Sequence, residues 1–258
     1  MRAPAWIEAG QGDTALLCLH GVSSSAEVWR PLLPVLAAQG HRVLAWDMPG
    51  YGNSQPLALL DFPLLADALA QLLDAAGLAR AVIVGHSLGG MIAMEFAARH
   101  PQRVTALVLA CTTASSGVGQ GAARAAFLAQ RLGVLEQGGS MAALAGRVLP
   151  AMLGPQPPAG LLGRMRRLMA AIPPAAYRAA VEALPDFDRR AALPAFDFPV
   201  LCIAGEQDRI ATPPTMRRIA ERIEGARFEV MGKVGHLAPF EDEPSFAALI
   251  GEFPGARA

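Results

Sequence analysis

Short apolar runs that end in turn residues alternate along this 258-residue chain with longer segments in which apolar residues recur at helical spacing. The alternation is typical of a parallel β-sheet whose strands are joined by crossover helices. The short runs predicted as strands are residues 6–9, 14–19, 42–46, 81–84, 106–110, 200–204 and 227–231. The longer segments predicted as helices include residues 26–38, 64–76, 88–99, 215–224 and 245–252. The pattern therefore predicts an α/β fold.

The alternation breaks off between residues 113 and 193, where no run has strand character and Ala, Leu, Met, Arg and Pro recur at helical spacing. Because the strand and helix rhythm resumes afterwards, we interpret this stretch as an insertion rather than as a second independent domain. We expect residues 1–112 and 196–258 to form the core of the fold. Residues 113–195 are expected to form a helical cap seated on the sheet.

Composition favours a compact globule, since 53% of the residues are hydrophobic and 17% are charged. Lys plus Arg equals Asp plus Glu at 22 each, so the chain has no general attraction to nucleic acid or to an anionic membrane. No apolar run has the length of a signal peptide or a membrane span, which predicts a soluble, cytoplasmic protein. Three separate apolar runs each hold one cysteine, which predicts buried thiols rather than a disulfide or a metal cluster. These cysteines are Cys18, Cys111 and Cys202.

The strongest local signal is residues 85–90, Gly-His-Ser-Leu-Gly-Gly, between a predicted strand and a predicted helix. A serine at such a sharp turn has strained dihedral angles that present its hydroxyl outward, and its neighbours two before and two after must be small. Gly85 and Gly89 meet that requirement. Ser87 is therefore the candidate nucleophile. The amide of Leu88, at the positive end of the helix, is a candidate donor to a developing oxyanion.

A serine is a weak nucleophile at neutral pH, so it needs a base within hydrogen-bond reach and a third group that orients the base. His236 is the candidate base because it lies in the loop after the last predicted strand, where the carboxyl ends of parallel strands gather functional groups. Asp208 follows the strand 200–204 in the same sense and is the candidate orienting acid, with Glu206 as its neighbouring rival. The remaining histidines have ordinary structural explanations: His20, His41, His86 and His100.

A second oxyanion donor is expected from the loop after the strand 14–19. Gly21 permits a tight turn there, so that the amide of Val22 can face the amide of Leu88 across the site. The alternative reading of this loop is a plain glycine turn.

With these residues in this order, the chain resembles the α/β-hydrolase family. The resemblance rests on His20-Gly21, residues 47–54, the Ser87 turn, residues 205–208 and Gly235-His236, and it covers nearly the whole length. It implies a mostly parallel eight-stranded sheet flanked by helices, a structural role for residues 47–54, and no metal or cofactor. It also implies the chain order Ser, Asp, His, which argues against acids elsewhere. Asp208 is preferred to Glu206 because it occupies the usual place of the acid in the family's motif. The acids elsewhere are Asp47, Asp61 and Asp188.

Serine at the turn implies acyl chemistry, since haloalkane dehalogenases and epoxide hydrolases of this family carry aspartate there. Carbon–carbon hydrolases of ring-cleavage products usually have Asn before the serine and Trp after the histidine, whereas this chain has His86 and Leu237. Residues 139–145, 172–177 and 208–214 are similar to those of 3-oxoadipate enol-lactonases. The resemblance therefore implies a serine hydrolase of a small carboxylic ester or lactone. Carbon–carbon hydrolysis and a thioesterase or acyltransferase with the same triad stay as alternatives, and the chain could be a monomer or a homodimer.

Charge is distributed unevenly, because the segment expected to form the cap is net basic. Its acids are Glu136, Glu182, Asp186 and Asp188. Its arginines are Arg124, Arg131, Arg147, Arg164, Arg166, Arg167, Arg178, Arg189 and Arg190. Most of these should be solvated helix positions, but one or two turned inward could bind a carboxylate on the substrate.

Overall fold

The fold is built on a seven-stranded sheet in a computed structural model that describes residues 3–253. The strand order is β1-β3-β2-β4-β5-β6-β7, with β1 antiparallel to β3 and every other pair parallel. The strands are β1 (Trp6–Ala9), β2 (Thr14–Leu19), β3 (His41–Trp46), β4 (Ala81–His86), β5 (Val104–Ala110), β6 (Val200–Gly205) and β7 (Arg227–Met231). All seven predicted strands are present, and the sheet has one strand fewer than the eight that the resemblance implies.

Ten α-helices accompany the sheet in the described residues. They are α1 (Leu32–Ala38), α2 (Phe62–Ala75), α3 (Leu88–Arg99), α4 (Ala122–Glu136), α5 (Met141–Val148), α6 (Leu161–Ala170), α7 (Pro174–Ala183), α8 (Pro213–Ala220), α9 (Ala238–Glu241) and α10 (Glu243–Glu252). The single helix predicted over residues 26–38 is wrong. A 3₁₀ turn, Ala26–Trp29, comes first, and α1 begins only after Pro31, which has no amide to continue a helical hydrogen-bond ladder.

Burial explains why the central strands read as unbroken apolar runs. Every residue of β2, β4 and β6 is buried, as expected for parallel strands covered by helices on both faces. The helix α2 begins two residues before its predicted start because Asp61 caps it, accepting a hydrogen bond from the amide of Leu64 at 2.7 Å. Among residues 3–253, no helix is both long enough and apolar enough to cross a membrane.

Residues 113–195, called the inserted segment below, hold α4 to α7 between β5 and β6. Within this stretch the backbone pairs as β-structure only at an isolated bridge from Ser115 to Asp188. Helix α4 contacts α7 and α5, and α5 contacts α6. Near the end of the segment, Arg189 pairs with the fully buried carboxylate of Glu95 on α3, with Nη2 at 2.8 Å from Oε1. This ion pair ties the inserted segment to the helix that follows Ser87.

Candidate active site

Ser87 occupies a strained turn between β4 and α3, with φ 55° and ψ −120°. A positive φ is costly for a residue with a side chain, and here the surroundings enforce it. A Cβ on Gly85 would lie 2.5 Å from the carbonyl oxygen of Gly89, and a Cβ on Gly89 would lie 2.2 Å from that of Leu19. The chain can therefore pass through this turn only with glycine at both positions. The Ser87 carbonyl is held in turn by the hydroxyl of Thr112, which donates to it at 2.7 Å.

The three residues predicted as a triad come together at the carboxyl edge of the sheet. The Nε2 atom of His236 lies 2.9 Å from Oγ of Ser87, and its Nδ1 atom lies 2.8 Å from Oδ2 of Asp208. A carboxylate can only accept, so Nδ1 carries a proton and donates it to Asp208. In the neutral ring this leaves Nε2 as the acceptor for the Ser87 hydroxyl. This is the tautomer that a general base next to a serine requires.

Asp208 is buried, and its two carboxyl oxygens have separate tasks. Oδ2 faces His236, while Oδ1 accepts hydrogen bonds from the amides of Ile210 at 2.7 Å and Ala211 at 3.0 Å. Burial raises the pKa of this carboxyl, but the hydrogen bonds from His236 and the two amides, together with the charge of His236, outweigh burial and hold the pKa below its usual value. Asp208 is therefore ionised at neutral pH and can orient the imidazole.

The rival acid Glu206 lies outside this network. It is exposed, and its carboxylate accepts from the amide of Lys233 at 2.8 Å. That bond, with a smaller effect from Gln207, lowers the pKa of Glu206. Glu206 therefore holds the backbone at Lys233, on the surface of the loop that carries His236.

Two of the other histidines, His20 and His86, have hydrogen-bond partners in the loops of the site. His86 is buried, and its Nε2 donates to the carbonyl of His236 at 2.7 Å. Burial, aided by the nearby His236, lowers the pKa of His86 to about 3. His20 donates from Nδ1 to the carbonyl of Gly21 at 2.8 Å and accepts at Nε2 from the amide of Met48 at 3.1 Å, and burial lowers its pKa to about 4. Both rings are neutral at physiological pH and brace the loops around Ser87.

The two predicted oxyanion donors line the same cavity as Ser87. Within residues 3–253, neither the amide of Val22 nor that of Leu88 donates a hydrogen bond, so both are available. The Val22 carbonyl accepts a hydrogen bond from the hydroxyl of Tyr51 at 3.2 Å. This bond orients the peptide bond that follows Val22. Asp47 holds the adjoining backbone, accepting from the amide of Ala26 at 2.9 Å. The segment 47–54 is thus a brace for the Val22 loop.

Glu241 is a residue that sequence reasoning missed. Its buried carboxylate accepts from the amide of Gly235 at 2.9 Å and from the amide of Gly154 at 2.7 Å. Burial raises the pKa of Glu241, although these amides oppose the rise. The amide of His236 also donates to the carbonyl of Met152 at 2.7 Å. The His236 loop is therefore fastened to the inserted segment at two points. The only sequence signal was an acidic residue five positions after the candidate base.

The cavity over Ser87 has a volume of about 530 Å³ and lies between the sheet edge and the inserted segment. Its lining is mainly apolar, with a few polar groups. Three arginines line it, Arg131, Arg147 and Arg209, and no Asp or Glu among the described residues does. A larger cavity of about 1090 Å³ lies between the loop after β3 and α7, and Ser87 and His236 do not line it. In the described part of the chain no cluster of three or more His, Cys, Asp or Glu could hold a metal ion.

Comparison with known proteins identifies the fold family of the chain. The family model for the alpha/beta hydrolase fold matches residues 14–243. The pimeloyl-[acyl-carrier protein] methyl ester esterase of Neisseria meningitidis serogroup B is 32% identical over 241 residues, which cover 91% of this chain and 90% of that protein. The crystal structure of the enol-lactonase from Burkholderia xenovorans superposes with a TM-score of 0.84 at 26% identity, covering 96% of this chain and 95% of that one. A hydrolase from Pseudomonas aeruginosa gives a TM-score of 0.84 at 29% identity, covering 96% and 92%. The chain therefore belongs to the α/β-hydrolase fold family.

Proposed function

We propose that this enzyme is a serine hydrolase that cleaves a small carboxylic ester or lactone through an acyl-enzyme. The observation that carries the proposal is the unbroken hydrogen-bond chain from Ser87 through His236 to Asp208, at 2.9 and 2.8 Å. This chain meets a cavity lined by two backbone amides that have no other acceptor among the described residues, those of Val22 and Leu88.

The reaction takes place in two halves. Nε2 of His236 removes the Ser87 proton as Oγ attacks the ester carbonyl carbon, and the negative charge formed on the carbonyl oxygen is stabilised by the amides of Val22 and Leu88. The imidazolium, stabilised by Asp208, then gives the proton to the departing alkoxide, which leaves an acyl group on Ser87. Water attacks that ester with His236 again as base. Collapse of the second tetrahedral intermediate releases the acid and restores the serine.

The substrate is a small molecule, and the inserted segment acts as its cap. A volume of about 530 Å³ falls in the range of sites that enclose a small ligand. Residues from α4, α5 and α7 line that cavity together with residues of the sheet edge, which supports a cap over residues 113–195. Ester or lactone cleavage is also supported by the names of an esterase relative and of an enol-lactonase neighbour. The three free, buried cysteines fit a cytoplasmic location.

A substrate panel tests this function. The purified protein is assayed on short alkyl esters, five- and six-membered lactones, and matched acyl thioesters, in parallel with Ser87→Ala. We expect ester or lactone hydrolysis in the parent and a loss of at least about a thousandfold in the variant. A clear preference for thioesters would favour the thioesterase alternative. Undiminished hydrolysis by Ser87→Ala would contradict the proposal.

A further inference from the structure

Arg131 lies on α4 and is half-buried in the lining of the cavity that Ser87 and His236 share. Its guanidinium carbon stands 3.7 Å from the centre of the Phe127 ring. Stacking on an aromatic face holds the guanidinium plane but leaves its in-plane N–H groups free to donate. Arg131 therefore has a fixed side chain with unused hydrogen-bond donors.

Five other arginines of the inserted segment have carboxylate partners, whereas Arg131 has none within residues 3–253. The three remaining arginines of the segment, Arg147, Arg166 and Arg167, also have no such partner there, but they are exposed and Arg131 is half-buried. The paired ones are Arg124 with Asp186, Arg164 with Glu243, Arg178 with Glu136, Arg189 with Glu95, and Arg190 with Asp188. A partly buried cation without a counter-charge is unfavourable, because desolvation is not compensated. Burial accordingly lowers the pKa of Arg131, although the nearby Tyr177 opposes the shift. The site bears a charge that the folded chain does not neutralise.

The remaining charges of the cavity have the same sign. Arg147 and Arg209 also line it, both more exposed than Arg131, and no acidic side chain of the described residues does. The formal charge of the whole chain is zero, so this positive cavity is a local feature. A low-dielectric cavity with charges of one sign attracts and retains ligands of the opposite sign.

We propose that Arg131 binds a carboxylate on the substrate, so that the enzyme acts on esters or lactones that carry a free carboxylate remote from the scissile bond. The inference rests on the proposed function, because it places that carboxylate in the cavity over Ser87. A planar guanidinium can hold a carboxylate through two parallel hydrogen bonds. Arg131 is thus a specificity-determining residue, which selects the substrate without taking part in the proton transfers.

The test compares two substrates that differ in one charge, monomethyl glutarate and dimethyl glutarate, in the parent, Arg131→Gln and Arg131→Lys. The matched control is Arg178→Gln, which removes an arginine of the same segment that pairs with Glu136 at 3.4 Å and does not line the cavity. For the half-ester, we expect Arg131→Gln to lower kcat/KM by about 10- to 100-fold, mainly through KM, because the lost bond acts on ground and transition states alike. Arg131→Lys should recover part of that loss. The kcat/KM of the Arg131 variants for the diester, and that of Arg178→Gln for both substrates, should change little.

A second measurement is independent of turnover. Free glutarate should protect Ser87 from an organophosphonate in the parent and in Arg178→Gln but not in Arg131→Gln, as read by mass spectrometry. Hydrolysis of the diester with no preference for the half-ester, and equal kinetics in Arg131→Gln, would overturn this inference and leave the proposed function intact. If neither substrate is hydrolysed and glutarate gives no protection, the inference about Arg131 is wrong. The proposed ester or lactone hydrolysis would be overturned only if the wider ester and lactone panel also failed.

Discussion

Replacing Asp208 by Asn tests the orienting role of the acid, and the structure fixes how the new side chain must lie. Oδ1 of Asp208 accepts from two amides, those of Ile210 and Ala211, at 2.7 and 3.0 Å. The Asn carbonyl oxygen must take that position, because an NH₂ group there would face two donors. The NH₂ group is then directed at Nδ1 of His236, which must accept and lose its proton. Nε2 becomes a donor toward Ser87 and can no longer act as base.

The size of the effect follows from what is needed to restore the active tautomer. Rotating the Asn amide would leave two amides without an acceptor, the part-buried one of Ile210 and the buried one of Ala211, at about 1–3 kcal/mol each. The lost attraction between carboxylate and imidazolium adds to this. At about 1.4 kcal/mol for each factor of ten, we expect kcat to fall by roughly three to four orders of magnitude. Thermal stability should fall only modestly, by the amount that the ionised carboxylate adds at neutral pH, since the shape and both amide hydrogen bonds are kept.

Steady-state kinetics on the best ester of the panel, with active-site titration, measures the change. Glu206→Gln is the matched control, because it neutralises the other acid of the same loop, which is exposed and bonded to the amide of Lys233. This control should retain nearly full activity. Asp208→Asn with near-parent kcat, or Glu206→Gln with the large loss, would refute the assignment of the acid.

Three further predictions concern the frame of the site. Gly89→Ala should lower the unfolding free energy by about 3 kcal/mol or more, because its Cβ would lie 2.2 Å from the Leu19 carbonyl oxygen; a normal urea midpoint would contradict this. Glu241→Gln should lower the unfolding free energy by about 1–3 kcal/mol and slow phosphonate labelling of Ser87. The reason is that the new NH₂ group would face the amide of Gly235 or Gly154, and two donors cannot bond to each other. The pKa of Asp208 is lower in the folded chain than its usual 3.8, so ionisation of this carboxyl stabilises the fold. The contribution is complete above pH 3.8 and is lost as the pH falls through the folded pKa. Urea unfolding from neutral pH down to about 2 should therefore be less pH-dependent in Asp208→Asn, and an identical profile would contradict the shift.

The sheet and the turn at Ser87 were predictable because each leaves a local trace in the sequence. Strands buried on both faces must be mainly apolar. β2 and β4 are, apart from Thr14 at the start of β2 and His86 at the end of β4. The Ser87 turn requires small residues at fixed offsets, which Gly85 and Gly89 supply. The break in the helix predicted over residues 26–38 had a local cause as well, since Pro31 cannot donate to a helical ladder.

Arg131 and Glu241 were not predictable, because their roles depend on distant parts of the chain. Which arginine of the inserted segment turns inward is decided by how α4 packs on α5 and α7, and sequence spacing alone does not fix that packing. Glu241 gains its role only when Gly154, 87 positions earlier, lies beside it. Contacts of this kind are set by tertiary packing and leave no periodic signal.

The central claim is that Ser87 is the nucleophile activated by His236, and covalent labelling tests it most directly. The native protein is treated with a p-nitrophenyl organophosphonate, digested and analysed by mass spectrometry, with His236→Ala treated in parallel. The account predicts one adduct per chain, on the peptide that contains Ser87, and a much slower reaction in His236→Ala. An adduct on another residue while Ser87 stays unmodified, or equal labelling of Ser87 in His236→Ala, would contradict it.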